Sequence, residues 1–303
     1  MTLKQIEAFY WAATLGNFAI AADRLHITQS SLSKRISELE EHLGHALFDR
    51  SRKKAQLTDA GERLLPHCRT MLDMVDVMHQ DVRGDSADQP LRGICRFGIS
   101  ELSASTWLPR FTDKVRAMHP QLVLEPQIWL TGELERLVQR GELDFAVIAG
   151  APTSASIAEQ QVARIPFVWV ASPQVGKSLG RLSGDDLARL DVLSHPPDSG
   201  LATAFNSWLA LQQFKVRRVI VCNSLTTITG LTVANMGISF LPQPYVQPLV
   251  DRGRLVMLES DPPLPWLDYN FIWLRDDLRP MTQIMKSLIL PEIDFTVPNA
   301  LWV

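Results

Sequence analysis

The chain has 303 residues, of which 46% are hydrophobic and 21% are charged, and its formal net charge is −3. A chain of this length and apolar content buries a large core and divides into two or more domains. The net charge excludes an overall basic surface, so any affinity for nucleic acid has to come from cations that are clustered locally.

Cysteine usage and hydropathy limit the cellular compartment. The three cysteines are widely spaced and form no CxxC or Cys/His metal pattern: Cys68, Cys95 and Cys222. This usage favours a reducing cytoplasm and predicts neither a metal site nor a cofactor. The N-terminus carries early polar and acidic residues, and no apolar run approaches the roughly 20 residues of a membrane-spanning helix. We therefore predict a cytoplasmic protein without a signal peptide or a membrane partner.

The first predicted elements are two short helices. Apolar residues recur at helical spacing in the first of them, at Leu3, Ile6, Tyr10 and Ala13. The pair Gly16-Asn17 then interrupts the run, and the Asn17 side chain is suited to cap the helix that follows. Small residues at Ala21 and Ala22 allow a further helix to cross closely.

A third helix follows, which Thr28 is placed to cap. One narrow face of it carries Leu32, Ile36, Leu39 and Leu43, whereas the opposite face carries Ser30, Ser33, Lys34 and Ser37. The N-terminal residues of a recognition helix make the base contacts in helix-turn-helix proteins. This comparison makes Thr28, Gln29, Ser30 and Ser33 candidates for reading bases. The alternative is an amphipathic helix with a solvated polar face, which the spacing alone favours.

A basic turn comes next, between the apolar pair Leu47-Phe48 and Leu57. It contains four cations, Arg50, Arg52, Lys53 and Lys54. Such a turn fits the hairpin of a winged helix, which carries Arg and Lys to the DNA backbone or into the minor groove. Taken in isolation it is equally a solvated run of charge, but beside a polar recognition face the wing is the stronger interpretation.

At this point the chain resembles the LysR-type transcriptional regulators. The matching residues are dense and correctly spaced: Phe9, Gly16-Asn17-Phe18, Ala21-Ala22, Leu25, Thr28-Gln29, Leu32-Ser33, Ile36, Leu39-Glu40, Leu43-Gly44, Leu47-Phe48, Arg50, Leu57-Thr58 and Gly61. Two departures are Asn17, where the family usually has Ser, and Ser30, where it usually has Pro. The resemblance implies DNA contacts from Gln29, Ser33, Lys34, Arg50 and Arg52, to which we add the neighbouring cations Arg35 and Lys53.

A long helix is predicted from Thr58 to about Arg83. Its apolar stripe has near-heptad spacing, at Leu65, Cys68, Leu72, Val75 and Val82, with Met71 and Met78 beside it. The resemblance implies a linker helix that pairs with its copy in a dimer, and the alternative is packing against the chain's own C-terminal domain. The polar segment Gly84 to Pro90 then marks a domain boundary.

Beyond this boundary, apolar strand patterns alternate with helical ones, which argues for parallel sheets with helices on both faces. The stretch is long enough for two α/β subdomains. The resemblance supplies a two-strand hinge near residues 160–167 and 266–270, as in the family's periplasmic-binding-protein-like domain. The predicted fold is therefore a multidomain α+β chain. Residues 1–58 form a winged helix-turn-helix, 59–90 a linker helix and hinge, and 91–303 an effector-binding domain, with subdomain I at 91–162 and 268–303 and subdomain II at 163–267.

Hydroxyl, amide and glycine residues follow several predicted strands of this domain, at Ser100, Thr131, Ser199, Gly200, Asn223 and Ser224. Ligands in open α/β sheets bind beyond the carboxyl ends of the strands, where helix N-termini offer N–H groups. Facing each other across a cleft, these residues would hold a small anion such as a carboxylate by neutral donors. Each one alone is more often a helix cap. Trp107, Trp129 and Trp169 either line this cleft or belong to the core.

Enzyme motifs are missing from the sequence. Gly98-Ile99-Ser100 and Gly237-Ile238-Ser239 are followed by Glu101 and Phe240 and not by the glycine of a nucleophile elbow. There is also no GxxxxGK loop and no HExxH motif. A solute-binding module would leave the first 60 residues unexplained, and an α/β hydrolase lacks its nucleophile.

The sequence therefore predicts a transcription factor and not an enzyme. It would bind double-stranded DNA at a pseudo-palindromic operator, with half-sites about 34–36 Å apart or a multiple of that distance. Its other expected partners are a small-molecule effector, a small organic acid being favoured, a second copy of itself in a dimer or tetramer, and RNA polymerase. Effector binding would shift subdomain closure and with it the spacing of the DNA-binding heads.

Overall fold

The computed structural model describes residues 1–49, 56–83, 90–179, 181–277 and 279–297. The chain forms two compact units, Met1–Gln89 and Pro90–Val303. The elements of the first unit are α1 (Leu3–Leu15), α2 (Phe18–Arg24), α3 (Gln29–Leu43), β1 (Phe48–Asp49), β2 (Gln56–Leu57) and α4 (Asp59–Arg83).

Each of the first three helices begins with a side-chain cap. Thr2 and Gln5 form a capping box at α1, with the Thr2 N–H donating to Gln5 Oε1 at 2.8 Å. Asn17 Oδ1 accepts from Ala19 N at 2.9 Å, and Thr28 Oγ1 accepts from Ser31 N at 3.2 Å. The caps predicted at Asn17 and Thr28 are therefore confirmed. The departure at Ser30 leaves a regular helix start, in which its hydroxyl lies 2.9 Å from Thr28 Oγ1.

One apolar core joins these helices to the root of the hairpin. Phe9, Leu32 and Leu39 are fully buried in it, and Phe48 packs edge-on against Phe9. The buried Glu40 carboxylate accepts from the N–H groups of Leu47, at 2.7 Å, and Phe48, at 3.2 Å. Satisfying these donors fixes the chain as it leaves α3 for β1.

Helix α4 spans the predicted residues, but its apolar stripe has two roles. Cys68 is buried in the core of the first unit, and Leu65 and Leu72 pack against that core. Three methionines on the same helix are exposed instead: Met71, Met74 and Met78. The residues expected to form a dimer seam thus belong in part to the helix's own unit. The stripe residue Val82 and the boundary segment 84–89 lie outside the residues whose side chains are described.

The second unit contains two five-stranded sheets and their helices. The strands are β3 (Arg92–Ile99), β4 (Gln121–Ile128), β5 (Phe145–Ala149), β6 (Ile157–Ile165), β7 (Phe167–Ala171), β8 (Asp191–Ser194), β9 (Arg218–Val221), β10 (Ile238–Pro242), β11 (Val256–Leu258) and β12 (Leu267–Leu274). The helices are α5 (Glu101–Ser105), α6 (Leu108–Met118), α7 (Thr131–Gln139), α8 (Pro173–Gly176), α9 (Gly184–Leu187), α10 (Gly200–Gln212), α11 (Leu225–Val233), α12 (Gln243–Asp251) and α13 (Pro280–Ile289).

The strand order is β4-β3-β5-β12-β6 in the first sheet and β11-β7-β10-β8-β9 in the second. Each sheet has two parallel and two antiparallel pairings, the antiparallel ones being β12 with β5 and β6, and β7 with β10 and β11. The expectation of parallel sheets was therefore wrong for these strands. The reason is that the chain crosses between sheets at β6–β7 and again before β12, and each crossing brings in strands of the opposite direction.

The crossings are short. Pro166 alone separates β6 of the first sheet from β7 of the second, and β12 returns to the first sheet. Leu267 of β12 pairs with Ile165 of β6, so the outgoing and returning strands lie side by side. This pairing places the carboxyl ends of β3 and β5 near the start of the helices that follow β8 and β9.

Candidate functional site

The first turn of α3 presents polar side chains outward. Gln29 and Ser30 are exposed, and Ser33 is half-buried one turn later. Gln29 and Ser33 make no side-chain hydrogen bond within the residues that the structure describes. Their amide and hydroxyl groups are therefore available to an external partner such as the edge of a base.

The cations of the same helix differ in exposure. The Lys34 side chain is 79% exposed and lies 3.9 Å from Glu38 Oε1, a distance at which an exposed ion pair contributes little. Arg35 is half-buried. The β1–β2 pairing, Phe48 opposite Leu57, forms the base of the predicted wing. The wing cations Arg50, Arg52 and Lys53 lie outside the described residues.

A cavity of about 370 Å³ lies between the two sheets of the second unit, at the carboxyl ends of several strands. Both sheets contribute to it, through residues at the end of β5 and residues that follow β3, β4, β8 and β9. Its lining combines apolar side chains with carboxylates: Ser100, Glu101, Leu102, Ile128, Trp129, Leu130, Thr131, Glu133, Leu134, Ile148, Ala149, His195, Asp198, Ser199, Leu201, Asn223, Leu225, Pro242 and Tyr269. No lysine or arginine is among the described residues that line it.

Four of the six predicted effector residues line this cavity: Ser100, Thr131, Ser199 and Asn223. Gly200 and Ser224 do not belong to the described lining. The hydroxyls mostly cap helices: Ser100 Oγ accepts from Ser103 N at 3.3 Å, Ser199 Oγ from Leu201 N at 3.3 Å and Ser224 Oγ from Thr227 N at 3.2 Å. The hydroxyls that were expected to hold an anion thus also serve the fold, as acceptors for the N–H groups of their own helices.

The packing of α10 against β5 requires a glycine at position 200. A Cβ atom at this position would lie 1.9 Å from the carbonyl oxygen of Ala149, so only glycine allows α10 to approach β5 this closely. The Gly200 N–H donates to Thr131 Oγ1 at 3.3 Å, and Thr131 Oγ1 donates to Ala149 O at 3.1 Å. The Gly132 N–H donates to Asp198 O at 2.9 Å. These bonds join the two subdomains along one side of the cavity.

Glu101 makes a second bridge across the cavity. It lies at the start of α5, and its carboxylate accepts from the N–H groups of Leu225, at 2.6 Å, and Thr226, at 3.0 Å. The Thr226 hydroxyl donates to the same carboxylate at 2.6 Å, and the Ser224 hydroxyl does so at 3.4 Å. Glu101 thus occupies the N-terminus of α11, where the helix dipole and the unpaired N–H groups favour an anion.

His195, directly after β8, is buried at the cavity wall. Neither of its ring nitrogens has a hydrogen-bond partner among the described residues. Burial lowers the pKa of His195 to about 4, against the opposing effect of the Glu101 and Asp198 carboxylates. The imidazole is therefore neutral near pH 7 and offers one donor and one acceptor to the cavity.

The tryptophans divide between the two expected roles. Trp129 lines the cavity and is 54% exposed, whereas Trp107 and Trp169 are fully buried in the core. Tyr269 also lines the cavity; burial raises the pKa of its phenol, and a hydrogen bond with Ser100 opposes that shift.

The sequence interpretation missed Glu101, His195, Asp198 and Glu133. His195 and Asp198 follow β8, so the rule that selected Ser199 applies equally to them. Glu101 follows Ser100 directly and entered the sequence argument only as evidence against a nucleophile elbow. No pattern in the sequence links Glu101 to residue 225, because the two meet only when the subdomains come together.

The described residues provide neither a cluster of metal ligands nor a helix suited to cross a membrane. No group of three or more His, Cys, Asp or Glu side chains in the described ranges is arranged to hold a metal ion. Among the described helices, none combines the length and the apolar character that a bilayer crossing requires.

Comparison with known proteins gives matches to both units. Residues 3–62 match the family described as bacterial regulatory helix-turn-helix protein, lysR family, and residues 88–292 match the LysR substrate binding domain. The HTH-type transcriptional regulator CfxR of Cupriavidus necator is 31% identical over 245 residues, which cover 80% of this chain and 75% of that protein.

Solved structures share the fold. A full-length OxyR variant from Pseudomonas aeruginosa superposes with a TM-score of 0.73 at 20% identity, covering 96% of this chain and 94% of that one. Full-length CbnR in complex with its target DNA has a TM-score of 0.59 at 20% identity, with 97% and 100% coverage. At these identities the similarity concerns the fold alone.

Proposed function

Because the chain belongs to the LysR family of bacterial transcriptional regulators, we propose that the first turn of α3 reads operator bases and that the cavity binds the effector. The chain is a DNA-binding regulator with an effector-binding domain, and not an enzyme. The observation that carries the DNA part of the proposal is the start of α3, where the exposed Gln29 and, one turn later, the half-buried Ser33 have no side-chain partner among the described residues.

The DNA contacts divide by chemistry. Thr28, Gln29, Ser30 and Ser33 are proposed to reach base edges, since amides and hydroxyls discriminate the donor and acceptor patterns of the major groove. Lys34 and Arg35 are proposed to contact phosphates, which position the helix. Arg50, Arg52 and Lys53 remain predicted wing contacts on the strength of the family resemblance.

The effector part of the proposal rests on the cavity and on the bonds that cross it. Glu101 and the Gly132–Asp198 contact join the subdomains on either side of a 370 Å³ space. A ligand in this space changes the balance between these bonds and a more open arrangement, which shifts the population of closed subdomains. The predicted preference for an organic acid stays a prediction, and the carboxylates of the lining weigh against it.

A gel-shift experiment tests the proposed function. The purified full chain is mixed with the double-stranded DNA upstream of its own gene and, separately, with shuffled DNA of equal composition. We expect a shift of the upstream DNA at a concentration at least 100-fold lower, and footprints in two half-sites related by two-fold symmetry. Equal affinity for the two DNAs would contradict the proposal.

Self-association is proposed to use the exposed methionine face of α4. Met71, Met74 and Met78 lie three and four residues apart, which is the spacing of one helical face, and all three are more than 40% exposed. Met74→Glu is expected to weaken dimerisation at least tenfold in sedimentation equilibrium, with Met236→Glu, also at an exposed methionine, as control. An unchanged dimer constant in Met74→Glu would place the dimer contact elsewhere.

The division into domains at residues 58, 90, 162 and 267, the cytoplasmic location and RNA polymerase as a partner are carried forward as parts of the proposal. The boundary at residue 90 is supported by the two compact units, which divide between Gln89 and Pro90. A regulator that binds operator DNA meets both the DNA and the polymerase in the compartment where transcription takes place.

A further inference from the structure

The charges of the cavity lining carry an inference about the effector, and this inference rests on the proposed function. Three carboxylates face or border the space, those of Glu101, Glu133 and Asp198, and the described lining holds no lysine or arginine. A carboxylate ligand placed here would be repelled by groups of its own sign, in a site whose walls are partly apolar and screen charge poorly.

The backbone N–H donors at the starts of α10 and α11, which would compensate this repulsion, are already engaged. The N-terminus of α11 is the strongest anion-binding feature beside the cavity, and the Glu101 carboxylate holds it through four hydrogen bonds of 2.6 to 3.4 Å. At α10, the Gly200 N–H is bonded to Thr131 Oγ1, and the Leu201 N–H to Ser199 Oγ. An anionic effector would have to break bonds of the protein before it reached the N–H groups of these two helix starts.

The groups that remain include the acceptors Asp198 and His195 beside the Asn223 amide and the Ser199 hydroxyl, which can still donate. The Asp198 side chain makes no hydrogen bond or ion pair within the described residues, and its carboxylate borders the cavity. Both ring nitrogens of His195 are buried and have no hydrogen-bond partner among the described residues. A buried imidazole without partners is costly, and a ligand group that bonds to it recovers that cost. His195 is thus a second, independent indication of a ligand.

An ammonium group suits these acceptors. It supplies three N–H donors and no acceptor, and it carries the charge that the carboxylates favour. Much of the remaining wall is apolar, with Leu102, Leu134, Ile148, Leu201 and Leu225 among its residues, so it accommodates a hydrocarbon body. A metal ion is disfavoured, since no group of three metal-ligating side chains occurs among the described residues.

From these observations we propose that the effector is a small molecule bearing a protonated amine on an apolar body. Asp198 and His195 bind the ammonium group, and the apolar wall packs against the rest. Glu101 keeps its bonds to α11 and adds negative potential without direct contact, so the bridge between the subdomains is preserved when the ligand binds.

Matched pairs of probes test this assignment in the full chain by calorimetry and thermal shift. Phenethylamine is compared with 3-phenylpropionate, and 1,5-diaminopentane with glutarate, so that each pair shares a similar carbon skeleton and differs in the sign of its charge. We expect at least one amine to bind at least tenfold more tightly than its matched acid. Tighter binding of an acid, or binding by none of the four compounds, would overturn the inference.

A pair of variants locates the binding. Asp198→Asn keeps the shape of the side chain and removes its charge, and is expected to weaken binding of the amine at least tenfold. Asp276→Asn changes an exposed aspartate that is not part of the described cavity lining, and is expected to leave the affinity unchanged. Equal affinities in the two variants would show that the amine binds elsewhere and would overturn the inference.

The gel-shift experiment on the upstream DNA separates this inference from the proposed function. If the chain binds its upstream DNA specifically but prefers an acid in its cavity, the proposed function stands and only the amine proposal is overturned. Absence of specific DNA binding removes the proposed function, whatever ligand the cavity accepts.

Discussion

The first turn of α3 and the rim of the cavity contain the same kinds of residues and use them in opposite ways. On α3, the exposed Gln29 and the half-buried Ser33 have no side-chain partners among the described residues. At the cavity, Ser100, Ser199 and Ser224 turn back to cap their own helices. Only at Thr28 does a hydroxyl of the α3 turn act as a cap in the same manner.

This difference shows that a polar residue at a strand or helix end has two possible duties. Where a helix starts on the surface and one residue caps it, the following side chains are left for a partner. Where several helices start around one cavity, the orphan N–H groups are many, and the nearby hydroxyls accept bonds from them. The groups left for a ligand here include two carboxylates and an imidazole, and no lysine or arginine of the described lining balances their charge.

The largest expected effect concerns the carboxylate that crosses the cavity. Glu101→Ala removes the acceptor of four hydrogen bonds and leaves the N-terminus of α11 without its anion. We expect the free energy of unfolding to fall by about 2–3 kcal/mol in urea denaturation followed by tryptophan fluorescence.

Glu133→Gln is the matched control, since Glu133 borders the same cavity but is paired only with the neighbouring Arg136 in the described part of the chain. It should cost less than about 0.5 kcal/mol. If Glu101→Ala and Glu133→Gln lower the free energy of unfolding equally, the hydrogen bonds from Glu101 to α11 contribute no more to stability than the Glu133 pair.

The second effect is the pH dependence that His195 imposes. Its folded-state pKa is lowered from 6.5 to about 4, so the unfolded chain takes up this proton at a higher pH than the folded chain. Stability is therefore kept above pH 6.5 and lost as the pH falls towards 4. For this one group, the loss between pH 7 and pH 5 is about 2 kcal/mol.

The measurement is urea unfolding at both pH values in the parent chain and in His195→Gln. Burial also lowers the pKa of His119, so some loss in acid remains in the variant. The variant should lose about 2 kcal/mol less than the parent between the two pH values. An identical loss in both proteins would show that the His195 ring titrates normally.

The third effect is on α3. Gln29→Ala removes an amide that is proposed to bond a base edge, and such a contact is worth about 1–3 kcal/mol of discrimination. We expect the ratio of affinities for operator and shuffled DNA to fall about tenfold or more, measured by fluorescence anisotropy. Glu41→Gln, at the far end of α3, serves as control. A parallel loss of affinity for both DNAs would exclude base reading by Gln29.

The smallest effect separates phosphate contacts from base contacts on the same helix. Lys34→Gln is expected to weaken binding to operator and shuffled DNA alike and to reduce the slope of log K against log salt by about 0.9. Lys177→Gln, an exposed lysine of the second unit, is the control. If Lys34→Gln has the same slope as the parent chain, Lys34 does not contact a phosphate.

The features that could be predicted from the sequence are those that depend on interactions between residues close together in the chain. The caps at Asn17 and Thr28 act within three residues, and the long helix α4 follows a local periodicity, so both were predictable. The antiparallel pairs of β12 and the bridge from Glu101 to α11 join residues more than 100 positions apart. Neither periodicity nor spacing encodes such contacts.

The sequence by itself determined the helix-turn-helix and the alternation of strands and helices, because local propensity, capping and apolar spacing all act over a few residues. The family followed from the resemblance of its motif residues, which the family matches confirm. The tertiary structure alone decided the sign of the charge that lines the cavity. Folding placed Glu101, Asp198 and His195 around one space and used the serine hydroxyls as caps, because buried N–H groups must be satisfied before any ligand is bound.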